Sequence, residues 1–224
     1  MDGMNSYATS GNNGYYHWSF KRAPGFMDVV AYAGTGSNQN VTHNLGVVPE
    51  LMIIKARDVA VWWMAFTSAI DGSHDYLKLQ ATDAKTDSSL SLPTSTTIVL
   101  DIVDTKLNGA SYNYISYLFA TLPGISKVGT YSGTGNDVNV DCGFTAGARF
   151  VMIKRTDATG DWYVYDSVRG IVSGSDPYLL TNTTDAEVTN TDYIDPLNAG
   201  FTVTSSAPAN LNASGGTYLF LAIA

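Results

Sequence analysis

The sequence predicts an all-β protein made of two tandem, homologous β-sandwiches of jelly-roll-like form. Three observations carry this. Tyr-Ala-Gly-Thr-Gly at 32–36 returns as Tyr-Ser-Gly-Thr-Gly at 131–135. Short runs of β-branched and aromatic residues alternate with Gly, Asn, Asp and Pro every eight to twelve positions, the spacing of sandwich strands and turns. Only 14% of the 224 residues are charged and only Glu50 and Glu187 are glutamates, which excludes long surface helices.

The repeat has an offset of 99 (131 − 32), and it runs well past the glycines. Val41 answers Val140, Leu45 answers Phe144, Lys55 answers Lys154, Asp58 answers Asp157, Trp63 answers Trp162 and Ser68 answers Ser167. Asp83-Ala84 then answers Asp185-Ala186 at an offset of 102 (185 − 83), which places an insertion of about three residues near the Gly/Ser-rich loop at 172–175. A period this long marks duplication of a domain rather than a solenoid. The division is an N-terminal arm and linker at 1–25, a first repeat at 26–123 and a second at 124–224.

Taken in order, residues 1–20 have no clear period, and Tyr15-Tyr16-His17-Trp18 is expected to lie as an arm on the first domain. Lys21-Arg22-Ala23-Pro24-Gly25 reads as a turn or linker. Strands are expected at 28–33 and at 40–45, where Val41, His43 and Leu45 share a face. The run at 51–54 is apolar on both faces, as in a central strand covered on each side. Further strands are expected at 61–66, 76–80, 96–102 and 112–120, with a polar loop at 83–91. The second copy repeats the pattern at 127–131, 138–144, 149–155, 161–165, 178–181, 200–204 and 217–222.

A net charge of −8 without a basic stripe argues against a nucleic-acid surface. Cys142 is the only cysteine, so no intramolecular disulfide and no cysteine-rich zinc site is expected. The start, Met1-Asp2-Gly3-Met4-Asn5, has neither a basic region nor an apolar core, so no signal peptide is expected. No run approaches 18 apolar residues, so no membrane insertion is expected either. No cofactor or metal is implied.

His43 tempts as a catalytic base, but its counterpart is Cys142, so both read as packed side chains, with the imidazole bonded to nearby backbone. His17 and His74 have no partners at ligand spacing. Asp157, Asp161 and Asp166 offer carboxylates for glycoside hydrolysis or calcium, yet the first copy has Trp62 and Thr67 at the last two positions, which favours solvated turn carboxylates. The Gly-Thr-Gly stretches precede strands, unlike a dinucleotide loop, and no nucleophile elbow or P-loop is present. The aligned Trp63 and Trp162 suggest a shared core role. Trp62 and Tyr163, on the other face of that strand, are candidate sugar-stacking rings with Asp161 and Asp166 as polar companions.

Three stretches together resemble a known family. They are Phe20-Lys21-Arg22-Ala23-Pro24-Gly25-Phe26, continuing through Asp28-Val29-Val30, Gly34-Thr35-Gly36-Ser37 and Thr42-His43-Asn44-Leu45-Gly46; then Ile153-Lys154-Arg155-Thr156 with the run 162–170; and the ending 212–224. The family is a domain of tail-fibre and other virion-surface proteins of tailed phages, notably marine ones, and the likeness covers nearly everything from residue 18. It implies a non-enzymatic virion module that assembles with other virion proteins as a homo-oligomer, a trimer favoured, and that contacts a host surface glycan. It implies a place on the particle surface, the tail favoured over the head, and carries over no catalytic residue. A capsid decoration (head-fibre) protein and a surface-polysaccharide depolymerase with acids among Asp157, Asp161, Asp166 and Glu187 stand as alternatives.

Overall fold

Alternation on the central strands dictates what must cover each face. In Leu51-Met52-Ile53-Ile54, all four side chains are apolar, so a sheet containing this run needs an apolar layer on both sides. The computed structural model, which describes residues 18–224, supplies both layers.

The strands of the first half are β1 (Met27–Ala33), β2 (Gln39–Thr42), β3 (Leu51–Ala56), β4 (Met64–Thr67), β5 (Asp75–Lys78), β6 (Thr86–Asp87), β7 (Thr97–Leu100) and β8 (Asn113–Phe119). Those of the second half are β9 (Ser126–Ser132), β10 (Val138–Asp141), β11 (Phe150–Arg155), β12 (Trp162–Asp166), β13 (Leu179–Leu180), β14 (Ile194–Leu197), β15 (Gly200–Val203) and β16 (Thr217–Ile223), with one four-residue helix, α1 (Ala209–Asn212). Every strand pairing is antiparallel.

A six-stranded sheet of order β1-β8-β3-β4-β5-β6 faces the β2-β7 pair, and a five-stranded sheet of order β13-β12-β11-β16-β9 faces a three-stranded sheet, β10-β15-β14. Read from the other edge, the five-stranded sheet repeats the first five places of the six-stranded one. Pairing register tracks the insertions. Met27 pairs with Phe119 and Ser126 with Ile223, so the offset is 99 (126 − 27) at the first strand and 104 (223 − 119) at the last.

Four sheets make three apolar layers. Met52, Ile54, Phe66, Ile98, Leu100 and Leu118 fill the first, between the six-stranded sheet and β2-β7. Val151, Ile153, Tyr165, Phe201, Val203 and Phe220 fill the corresponding layer of the second half. Between the two large sheets lies the third layer, where Leu51, Ile53, Ala65 and Phe119 of one half meet Phe150, Met152, Trp162, Leu219 and Leu221 of the other. The period of two thus sends Met52 and Ile54 to one layer, Leu51 and Ile53 to the next. At about 1.5–3 kcal/mol per fully buried large apolar side chain, the shared layer binds the halves strongly.

The Tyr-x-Gly-Thr-Gly stretch closes each sandwich at a corner. Tyr32 stacks on Tyr114 with ring centroids 5.1 Å apart, and Tyr131 on Tyr218 at 4.8 Å. Tyr32 donates its hydroxyl to the Leu107 carbonyl and Tyr131 to that of Leu211, each at 2.7 Å. A buried asparagine plugs each loop: Asn108 Oδ1 accepts the Thr35 N–H at 2.9 Å and Asn212 Oδ1 that of Thr134 at 3.0 Å. Glycine is required where backbone meets backbone, since a Cβ on Gly34 would stand 2.2 Å from the Gly109 oxygen and one on Gly133 2.4 Å from that of Ala213.

The stretch 22–28 is a clasp. Arg22 pairs with the buried Asp28 at 2.5 Å, and Asp28 also accepts the N–H of Asn44 at 2.7 Å and of Val29 at 2.9 Å. Burial raises the Asp28 carboxyl, but the bonds from Asn44, Arg22 and Val29 outweigh it and hold the group below its usual range. This explains why Arg22-Ala23-Pro24-Gly25 and His43-Asn44-Leu45-Gly46 occur together: Gly25 N–H donates to the Leu45 carbonyl across the same gap.

Several expectations change. The strand expected at 61–66 starts at Met64, because Val61, Trp62 and Trp63 belong to the preceding loop. The loop expected at 83–91 contains β6, which adds a sixth strand at the sheet edge. β14 gave no sequence signal, since Pro196 interrupts its run; it is an edge strand, where a missing N–H is tolerated. The arm does not lie on the first half alone. Phe20 packs edge-to-face on Phe119 at 6.2 Å and on Phe150 at 5.4 Å, and Trp18 donates to Asp166 at 3.0 Å, so 18–20 joins both halves. Tyr15, Tyr16 and His17 lie outside the described residues. Among the described residues no helix is long and apolar enough to cross a membrane.

Candidate functional site

The loop before β4 is held from both ends. Lys55 donates its ammonium to the Val61 carbonyl at 2.8 Å and to that of Val59 at 3.3 Å. Asp58 accepts the Asn113 backbone N–H at 2.9 Å and its side-chain amide at 2.8 Å. Beyond the turn, Trp63 N–H donates to Gln80 Oε1 at 2.9 Å. The constrained loop leaves the Trp62 indole 44% exposed.

Two ammonium groups stand over that ring. Lys78, at the end of β5, places its ammonium 4.2 Å from the ring centroid, and Lys106 places its own at 5.2 Å. Each lysine is paired with a carboxylate, Lys78 with Asp83 at 2.7 Å and Lys106 with Asp104 at 2.6 Å. The Lys78 ammonium holds the Asp83 carboxyl below its ordinary range. Cation–π attraction at such exposed sites contributes about 0.5–1 kcal/mol, so the cluster orders the ring without burying it.

Of the residues expected from sequence, only Trp62 presents an open ring. Tyr163 is 4% exposed, inside the second-half core against Tyr165 and Tyr178, so it has no free face for a sugar. The correction follows from strand phase, because Tyr163 points into the sandwich as Met64 does in the first half. Asp166 is likewise not a solvated turn carboxylate. It is buried, ion-paired with Arg169 at 2.7 Å, and accepts the Val168 and Arg169 N–H groups at 3.0 Å. Asp161 is half-buried and accepts amide hydrogens from Asn182 at 2.8 Å and Asn210 at 3.3 Å. Asp157 is bonded to Arg155 at 3.0 Å, and Glu187 meets Arg169 at 3.3 Å. Asp161 and Asp166 flank opposite ends of β12, roughly 16 Å apart along an extended chain, whereas glycosidase carboxyls stand about 5–9.5 Å apart.

Trp63 and Trp162 do not share one environment. Trp162 is buried in the central layer, while Trp63 is 36% exposed and, with Trp18, Leu79 and Tyr117, lines an apolar groove of about 490 Å³. His43 is buried and satisfied as expected: its Nδ1 accepts the Leu45 N–H at 3.2 Å, so Nε2 carries the proton and donates to the Thr94 carbonyl at 3.2 Å. Burial pushes the Cys142 thiol up to about 12, which makes it inert. Among the described residues, no three His, Cys, Asp or Glu side chains are arranged to hold a metal ion.

Sequence reasoning gave Lys78, Asp83, Asp104 and Lys106 no part in a site, yet the repeat marks the place of both lysines. At the final offset of 104 (212 − 108), fixed by Asn108 and Asn212, Lys106 answers Asn210. Lys78 answers Leu180, since Met64 pairs with Lys78 as Tyr163 pairs with Leu180. Trp62 itself answers Asp161. The halves therefore share corners and layers but differ at Trp62, Lys78 and Lys106, while Asp83 is matched by Asp185.

A family model described as "Domain of unknown function (DUF7483)" matches residues 6–224, both halves at once, so the chain belongs to that family. No curated protein and no solved structure matches it.

Proposed function

We propose that this member of the DUF7483 family is a phage virion structural protein, a tail-fibre or tail-tip module displayed on the particle surface in contact with host glycans. The observation that carries the reading is the stretch 20–46, whose likeness to virion-surface domains runs through residues that serve the fold: the Arg22–Asp28 clasp, the Gly34-Thr35-Gly36 corner and the His43–Leu45 turn. Motifs spent on architecture suit a structural module. The carboxylates of the depolymerase alternative are committed to Arg155, Arg169, Asn182 and Asn210, which speaks for a non-enzymatic role. Its acidic, hydroxyl-rich composition suits a displayed protein that must remain soluble.

Antibody labelling of purified particles viewed by electron microscopy tests the reading. Label at the tail periphery is the expected result, and label spread over the head assigns the protein to capsid decoration instead. Absence of label from every particle overturns the virion assignment. Release of reducing ends from host polysaccharide, abolished in Asp161→Ala or Asp166→Ala, would replace it with the depolymerase.

A further inference from the structure

We propose that Trp62, flanked by the Lys78–Asp83 and Lys106–Asp104 pairs, binds a neutral hexopyranose residue of a glycan; this rests on the reading of the protein as a host-contacting surface module. Lys78 and Lys106 hold their ammonium groups over the indole, so the sugar meets the part of the ring that stays exposed together with those ammonium groups, and the loop is already anchored by Lys55 and Asp58, so little order is lost on binding.

The flanking charges choose the ligand class. Two ammonium groups supply donors and two carboxylates supply acceptors, and neighbouring sugar hydroxyls accept from the former while donating to the latter. The four charges cancel locally, and the chain as a whole carries −8, so nothing draws in a polyanion. A neutral, polyhydroxylated ring uses all of these groups without stranding a charge.

The second half argues for specialisation. Its equivalent surface has Asp161, Leu180 and Asn210 in place of Trp62, Lys78 and Lys106, with Asp161 already bonded to Asn210. The asparagine-plugged corners recur in both copies, whereas this exposed cluster occurs in the first alone. One site per chain follows.

The test is affinity electrophoresis and tryptophan-emission titration of the full chain with dextran and with mannan, polygalacturonate serving as the acidic comparison. The expected result is retardation by a neutral glycan with one site per chain. Trp62→Ala should weaken it at least tenfold, and Lys106→Met by several-fold, with thermal midpoints close to that of the parent. No retardation by either neutral glycan, equal binding by Trp62→Ala, or preference for polygalacturonate overturns the proposal. Should Trp62→Ala fold poorly, Lys106→Met decides: full affinity in that variant also overturns it. Particle labelling is independent of this titration. Labelled particles with no glycan binding remove the site alone, and glycan binding without label removes the virion reading alone.

Discussion

Trp162 donates its indole N–H to the carbonyl oxygen of Lys78 at 3.0 Å, so a buried ring of the second half holds the strand end that carries one wall of the Trp62 cluster. The contact belongs to a seam. Thr181 Oγ1 donates to the Leu79 carbonyl at 3.1 Å, Gly160 N–H to that of Thr82 at 2.9 Å, and Lys85 N–H to that of Thr156 at 2.9 Å. Trp162→Ala should cost about 3–5 kcal/mol, the range for emptying a large aromatic site in a core. Trp162→Phe, which loses the hydrogen bond and part of the ring, should cost less. Urea unfolding of both variants checks the order.

The central layer predicts that the halves do not stand alone. A fragment of 124–224 would expose Phe150, Met152, Trp162, Leu219 and Leu221 on one sheet face. Such a fragment should self-associate or precipitate, as measured by sedimentation. A monomeric, cooperatively folding fragment would show that the layer matters less than its composition implies.

Asp176 should govern a pH-dependent part of stability. Burial is the chief cause of its elevation to about 6, against the lowering effect of the Tyr193 and Ile194 N–H groups, and Asp192 and Asp195 add to the rise. Its Oδ1 and the Tyr165 hydroxyl are buried without a hydrogen-bond partner among the described residues. With the folded value above the unfolded one, its contribution is present below about pH 4 and lost as pH rises through 6. Asp176→Asn should therefore stabilise the protein at pH 8, by about 2 kcal/mol, and leave it little changed at pH 4. Denaturant midpoints at the two pH values measure this.

Lys154 gives the opposite slope. Fully buried, it donates to the Thr82 carbonyl at 3.1 Å and to that of Arg155 at 2.8 Å, and burial pulls its ammonium down to about 8. Between that value and the ordinary one near 10.4 the unfolded chain binds more protons, so stability should rise with pH. Lys154→Met should flatten the rise between about pH 7.5 and 9.5, below the range in which exposed tyrosines ionise. An unchanged slope in the variant would assign the effect elsewhere.

The corner asparagines should be costly to remove. Asn212 accepts from Thr134 and Gly135 and donates to the Asn136 and Thr204 carbonyls at 2.8 and 2.9 Å. Asn212→Ala leaves those groups unpaired, so a loss of about 2–4 kcal/mol is expected, with Asn108→Ala in the same direction. Thermal melts would rank the two.

The duplication, the all-β class and the double-sided burial of β3 were legible because each is a periodicity: a 99-residue offset, and alternation with a period of two. The packed role of His43 and Cys142 was legible for the same reason, since two copies disclose what a position tolerates. β14 was hidden by Pro196, and α1 is a single turn with no amphipathic pattern to announce it. The exposure of Trp62 depended on β4 starting at Met64 rather than Val61, and strand ends are set by pairing partners that lie far along the chain. Tyr163 and Asp166 failed as site residues because local alternation says which residues share a face and not what covers that face. By itself, then, the sequence determined the repeat, most of the strands and the two apolar faces of β3. Only the tertiary structure decided that one of those faces meets the second half, and that Lys78 and Lys106, 28 residues apart (106 − 78), stand over one exposed indole, because burial and charge contacts are properties of the assembled sheets.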